Sequence, residues 1–299
     1  MKHPFRGTGV ALVTPFDEHK AVDYAALERL VNHCIKGGVD FLVALGTTGE
    51  TATLSADEQR QVLRKISRVN NRRVPLVAGF GGNNTAAVVE QIKTAALGGV
   101  DGILSASPSY NKPSQEGIFR HFMAIEAVAP CPIILYNVPG RTASNMKAST
   151  TLRLANASDK FVAIKEASGN LQQVMTIIKG EKPDHFTILS GDDNLTLPML
   201  ACGADGLISV VANAYPKDYS QLVRAGRTGD FKTARALHYR YLELVDALFL
   251  DGNPAGIKYV LKRLGICDAT LRLPLLPPGD FTQELLKKLM QTLASQPSV

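Results

Sequence analysis

Lys165 ends the short apolar run Phe161-Val162-Ala163-Ile164, a setting that suits nucleophilic chemistry. An unperturbed lysine, with a pKa of about 10.4, is neutral in roughly one molecule in 2,500 at pH 7. Loss of hydration inside an apolar fold disfavours the charged form and lowers that pKa. The freed amine can attack a ketone, and the imine that results acts as an electron sink. Alternation along an extended run predicts Phe161, Ala163 and Lys165 on one face. Tyr136 closes Ile133-Ile134-Leu135, and a phenol there can carry a proton to and from a carbinolamine oxygen. Thr47 and Thr48 are flanked by Gly46 and Gly49, which leave backbone N–H groups open to a small carboxylate. The same pattern is also ordinary turn chemistry. Arg141 can grip a carboxylate with two parallel hydrogen bonds.

Other chemistries fit the sequence less well. A metal-dependent aldolase needs a histidine cluster at its site. His3, His19, His33, His121, His185 and His238 fall in the N-terminal tail, on helical segments or ahead of strands. Asp192-Asp193 could in principle hold a hard cation, and a pair alone is a weak signal. No C-x-x-C spacing joins Cys34, Cys131, Cys202 and Cys267, so zinc-ribbon and thioredoxin-like motifs are excluded and free thiols are expected. We therefore expect no metal and no organic cofactor.

These residues need elements to converge them. Apolar runs at Gly9–Val13, Phe41–Leu45, Pro75–Gly79, Gly102–Ala106, Ile133–Tyr136, Phe161–Lys165, Thr187–Ser190 and Gly206–Val210 read as parallel strands buried on both faces. Helix-periodic segments alternate with them, one opened by the capping box Ser55-Ala56-Asp57-Glu58. Gly38-Val39-Asp40, Gly99-Val100-Asp101 and Gly203-Ala204-Asp205 repeat one helix-to-strand joint, with glycine suited to the left-handed end of a helix. Eight such units predict an α/β fold, a (β/α)8 barrel over residues 1–225. An open doubly wound sheet normally carries G-x-G-x-x-G after its first strand, where this chain has Thr14-Pro15-Phe16-Asp17. Residues 226–299 read as a C-terminal helical extension with helices at Phe231–Phe249, Pro254–Leu264 and Phe281–Leu293. In a barrel the strand C-termini form the active site. That rule gathers Lys165, Tyr136, Tyr110, Thr47, Thr48 and Arg141 at a single mouth. The loops Ser190-Gly191-Asp192-Asp193 and Val211-Ala212-Asn213 lack the basic, glycine-rich character of a barrel phosphate site.

Composition sets the outer bounds. The 299 residues are 45% hydrophobic and 20% charged, as in an ordinary globular protein. No apolar run reaches the length of a membrane span, and the first residues lack a secretory signal, so a cytoplasmic protein is expected. The net charge of +6 is dispersed, which favours an anionic substrate over nucleic acid.

Gly46-Thr47-Thr48-Gly49-Glu50, Tyr136-Asn137-Val138-Pro139 with Arg141-Thr142, Ile164-Lys165-Glu166-Ala167 with Gly169-Asn170, and Ser190-Gly191-Asp192-Asp193 together resemble the dihydrodipicolinate synthase (4-hydroxy-tetrahydrodipicolinate synthase) family over nearly the whole chain. The resemblance implies that Lys165 forms an imine with pyruvate, which then condenses with L-aspartate-4-semialdehyde in diaminopimelate and lysine biosynthesis. It implies a proton relay of Thr47, Tyr136 and Tyr110, the last contributed across a subunit interface. Thr48 is implied for the pyruvate carboxylate, Arg141 for that of the semialdehyde, and Gly191 and the Ile208 carbonyl for the pocket lining. A homotetramer, a dimer of dimers, is implied as well, with no nucleic-acid or membrane partner. N-acetylneuraminate lyase and 2-keto-3-deoxy sugar acid aldolases share the lysine and tyrosine, and typically not the arginine, so they stand as the alternative. A keto-acid-binding barrel without turnover is a third reading, opposed by the intact Lys165, Tyr136 and Thr47. The chain departs from lysine-inhibited members at the effector positions, where it has Ala56, Gln59, Ala87 and Ser109 and retains Asn83. The resemblance therefore implies weak feedback inhibition or none.

Overall fold

A computed structural model describes residues 4–296; His3 lies outside them. Eight parallel strands close into one barrel: β1 (Gly7–Ala11), β2 (Phe41–Ala44), β3 (Leu76–Gly79), β4 (Gly102–Ala106), β5 (Ile133–Asn137), β6 (Phe161–Glu166), β7 (Thr187–Ser190) and β8 (Gly206–Ser209). Each pairs with its sequence neighbours, and β8 returns to β1 with Ile208 opposite Gly9. The strands are apolar on both faces because both are covered. One face fills the bore with Phe41, Val43, Val77, Leu104, Ile134, Ala163 and Leu189. The other packs against the surrounding helices, as with Ile103, Ile133, Phe161 and Ile188.

Phe161 corrects one expectation. Ile133 pairs with Phe161 but Ile134 with Ala163, so β6 carries an extra residue. This bulge turns Phe161 into the outer layer, while Ala163 and Lys165 remain inward. Strict alternation fails at the bulge and holds beyond it.

The helix-to-strand joints behave as their glycines predict, with Gly38, Gly99 and Gly203 at φ 81°, 86° and 105°. Ser55 and Glu58 form the reciprocal capping box of helix Ala56–Asn70. The eighth barrel helix, Pro216–Thr228, is followed by helices Phe231–Phe249, Ala255–Arg263 and Asp280–Ser295. All three share a core with the barrel: Leu244, Val245, Ile257, Leu261, Leu286 and Leu293 cluster with Leu27, Leu30 and Leu42. Cys34, Cys131, Cys202 and Cys267 are free thiols. Among the described residues no helix is long and apolar enough to cross a membrane.

Candidate active site

A cavity of about 510 Å³ opens at the C-terminal ends of the strands. Lys165, Tyr136, Thr47, Thr48, Arg141 and Gly191 all line it, as strand-end placement predicts. Tyr136 and Lys165 stand side by side in the β5–β6 register. Both are buried, and the Lys165 ammonium lies 4.3 Å from the centroid of the Tyr136 ring. The lysine head therefore lies against the face of the tyrosine ring.

One residue further along the same two strands, Asn137 pairs with Glu166. The buried Glu166 carboxylate accepts from the Asn137 amide at 3.1 Å, the Ser168 N–H at 2.7 Å and the Gln173 amide at 3.1 Å. This network ties the ends of β5 and β6 together immediately behind the lysine and tyrosine. On the other side of Lys165, Gly191 leaves room that no side chain could occupy. A Cβ there would sit 2.7 Å from Ala167 Cβ and 3.0 Å from Lys165 Cγ.

The two threonines lie on a tight turn, Thr47–Gly49, ended by Glu50 in the left-handed conformation at φ 52°. Glu50 is fully buried and pairs with the fully buried Lys258 at 2.5 Å. Lys258 also donates to the Thr270 carbonyl at 2.9 Å, and the second Glu50 oxygen accepts from the Arg272 N–H at 3.2 Å. Burial pulls the Lys258 pKa below the ordinary lysine value, with Glu50 acting against that pull. Asn253 donates from its amide to the Thr48 hydroxyl at 2.9 Å. The C-terminal extension thus holds the threonine turn from behind.

Arg141 lies on the four-residue helix Pro139–Thr142 and is exposed at the mouth, with no carboxylate within ion-pairing distance among the described residues. An unpaired guanidinium at a pocket mouth is available to an anionic ligand. Asp192 stands on the opposite flank of Lys165, with its pKa raised by burial. Its neighbour Asp193 is fully committed to the fold: it accepts from the Ser209 hydroxyl at 2.5 Å and the Val210 N–H at 3.0 Å, and burial raises its pKa to about 6.

Two expected site residues do not join this group. Tyr110 is 87% exposed and does not line the cavity, because the loop after β4 turns outward there at φ 69°. Ile208 lies on β8 within the packed bore and is also absent from the lining. Strand-end reasoning missed Val245, Asp246, Phe249 and Asn253, which form the far wall of the cavity from the C-terminal extension. One signal pointed there. Lys258 interrupts the apolar set Ile257, Val260 and Leu261 of its helix, and a lysine on a buried face requires a partner.

A buried lysine under a tyrosine ring, facing an open arginine at the mouth of a (β/α)8 barrel, defines a Schiff-base-forming lyase of the barrel class. The chain belongs to the dihydrodipicolinate synthetase family, whose sequence profile matches residues 4–295. It is 50% identical over 291 residues to 4-hydroxy-tetrahydrodipicolinate synthase of Flavobacterium psychrophilum, covering 95% of this chain and 99% of the relative. It is 48% identical over 289 residues to the protein of the same name from Parabacteroides distasonis, covering 97% of each. Among solved structures, dihydrodipicolinate synthase from Thermotoga maritima superimposes with a TM-score of 0.95 at 36% identity, covering 98% of this chain and 99% of that one. These relatives favour the synthase over the sialic-acid and sugar-acid lyases that share its lysine and tyrosine.

Proposed function

We propose that the chain condenses pyruvate, held as an imine on Lys165, with L-aspartate-4-semialdehyde, the synthase step of diaminopimelate and lysine biosynthesis. The observation that carries this reading is the buried Lys165 beside Tyr136 in a cavity flanked by Arg141. The neutral lysine amine attacks the ketone carbon of pyruvate, and the carbinolamine loses water to give the imine. The imine withdraws electrons, so the methyl group yields a proton and becomes an enamine carbon. That carbon attacks the aldehyde carbon of the semialdehyde and forms the new C–C bond. Tyr136 moves protons at the carbinolamine oxygen, with Thr47 as its partner in the relay. Thr48 is assigned to the pyruvate carboxylate and Arg141 to that of the semialdehyde, while Gly191 is assigned to the lining.

Tyr110 completes the relay in this proposal from a neighbouring subunit of a homotetramer. Its support is a large aromatic held in left-handed backbone, which is costly for a bulky side chain, and fully offered to the outside. No metal or organic cofactor takes part. The enzyme works in the cytoplasm.

Incubation with pyruvate and borohydride tests the assignment. One reduced pyruvyl unit is expected, on the peptide that contains Lys165. Label on another lysine, or none, overturns it. Arg141→Ala is expected to impair use of the semialdehyde far more than imine formation, since each charge-assisted hydrogen bond contributes roughly 1.5–3 kcal/mol. Equal loss with both substrates makes Arg141 structural.

A further inference from the structure

Asn253 is remote from the strand ends that supply the other cavity residues, yet its side chain touches one of them. It follows helix Phe231–Phe249, lines the cavity, and is 8% exposed. Its amide nitrogen lies 2.9 Å from the Thr48 hydroxyl oxygen, and its Oδ1 has no hydrogen-bond partner. The amide is therefore held through Thr48 alone. A threonine hydroxyl has one proton and two lone pairs. Once Asn253 donates into a lone pair, the hydroxyl proton must point elsewhere. Thr48 is 3% exposed, makes no donated hydrogen bond to any described residue, and lines the cavity, so the proton is directed into it.

The two ends of this contact are fixed independently. Glu50, two residues after Thr48, pairs with Lys258, five residues after Asn253, at 2.5 Å with both side chains fully buried. The amide and the hydroxyl therefore keep their places when the cavity is empty. Such preorganisation is what gives a donor its value toward a charged ligand.

We propose that Asn253 is a positioning residue which, by donating to Thr48, turns the Thr48 hydroxyl proton toward the pyruvate carboxylate. This rests on the pyruvate reading above. Without the amide the hydroxyl is a free rotor, and the carboxylate must orient its proton on binding.

The test reverses the polarity of the contact. Asn253→Asp keeps the shape but accepts where asparagine donates, so the Thr48 proton turns away from the cavity. The concentration of pyruvate giving half-maximal borohydride trapping should rise at least tenfold. The trapping rate at saturating pyruvate should change less than threefold, as should the KM for the semialdehyde. A new carboxylate also repels pyruvate directly, so the same change is made in Thr48→Val, which has no hydroxyl. There Asn253→Asp should add less than a threefold rise. An equal rise in both backgrounds means plain charge repulsion and overturns the proposal, as does an unchanged pyruvate dependence when Thr48 is present.

If Asn253→Asp does not fold, Asn253→Ala runs the same cycle without an added charge. A several-fold rise when Thr48 is present, and none in the Thr48→Val background, supports the coupling; equal effects overturn it. Absence of any pyruvate trapping in the unsubstituted protein refutes the pyruvate reading instead, so the two failures are distinct.

Discussion

Replacing Lys258 with methionine removes the cation of the Glu50–Lys258 pair and, with it, the donation to the Thr270 carbonyl at 2.9 Å. Methionine preserves the length and apolar stem that lie against Phe16, whose ring centroid is 4.1 Å from the lysine nitrogen. What disappears is the ammonium 2.5 Å from a carboxylate, with neither side chain exposed. Breaking a buried pair from one side typically costs about 3–5 kcal/mol, because the remaining charge is left uncompensated. Arg272, though paired with Glu58 at 2.5 Å, still acts on the Glu50 charge and offsets part of it. The expected loss therefore falls near ~3 kcal/mol, toward the lower end of that range. For a chain of 299 residues that corresponds to a fall in Tm of roughly 5 °C. Urea unfolding should show an earlier midpoint at an unchanged slope. Glu50→Gln combined with Lys258→Met removes both charges and should recover at least half of the loss. A single variant within about 1 kcal/mol of the parent, the scale of an exposed pair, refutes the reasoning. So does a double variant as unstable as the single one, since packing would then be the cause.

Tyr136→Phe should lower turnover by on the order of 10²–10⁴ with the fold intact, and unchanged turnover at saturating pyruvate makes the phenol a core residue only. Gly191→Ala forces a methyl group against Ala167 and the Lys165 stem, so pyruvate trapping should slow by roughly 10²-fold; a normal trapping rate shows that Lys165 has room to move. His121 is buried, bonds Thr85 at 2.9 Å and has its pKa lowered by burial to about 4 from 6.5. Between those values the unfolded chain binds more protons, so stability is full above about pH 6.5 and lost as pH falls toward 4. His121→Gln should flatten that segment of the denaturation profile, and an unaltered segment assigns the acid loss elsewhere. Lysine should inhibit weakly or not at all: Ala87 and Ala56 offer no polar side chain, and the Gln59 amide is already bonded to the Thr51 and Leu54 carbonyls. Submillimolar inhibition of initial rates at subsaturating pyruvate refutes this.

The barrel was legible because its strands are doubly buried and its joints repeat. Gly102–Ala106 and Thr187–Ser190 fall where the apolar runs place them, and the other strands differ at their ends by one or two residues. Short local patterns determine such elements. The β6 bulge was illegible because it depends on how β5 and β6 pair, which no run of six residues records. Six of the eight candidate site residues line one cavity because strand ends in a barrel converge by geometry. Tyr110 departs from them because the path of the loop after β4 follows no periodic rule. Asn253 was invisible for another reason. It reaches Thr48 across a separation of 205 positions, from a segment whose own pattern announces only helices.

The closure of β8 onto β1 and the pairing of Glu50 with Lys258 impose an order on synthesis. Residue 50 leaves the ribosome 208 residues before its partner, the difference between positions 258 and 50. At ordinary elongation rates of 5–20 residues per second, that interval lasts roughly 10–40 s. Until β8 has been made the nascent chain has open sheet edges, and until Lys258 follows it has a carboxylate that cannot be buried without cost. The catalytic cradle is completed only after Lys258 has been made, so its assembly follows the making of all eight strands instead of accompanying it.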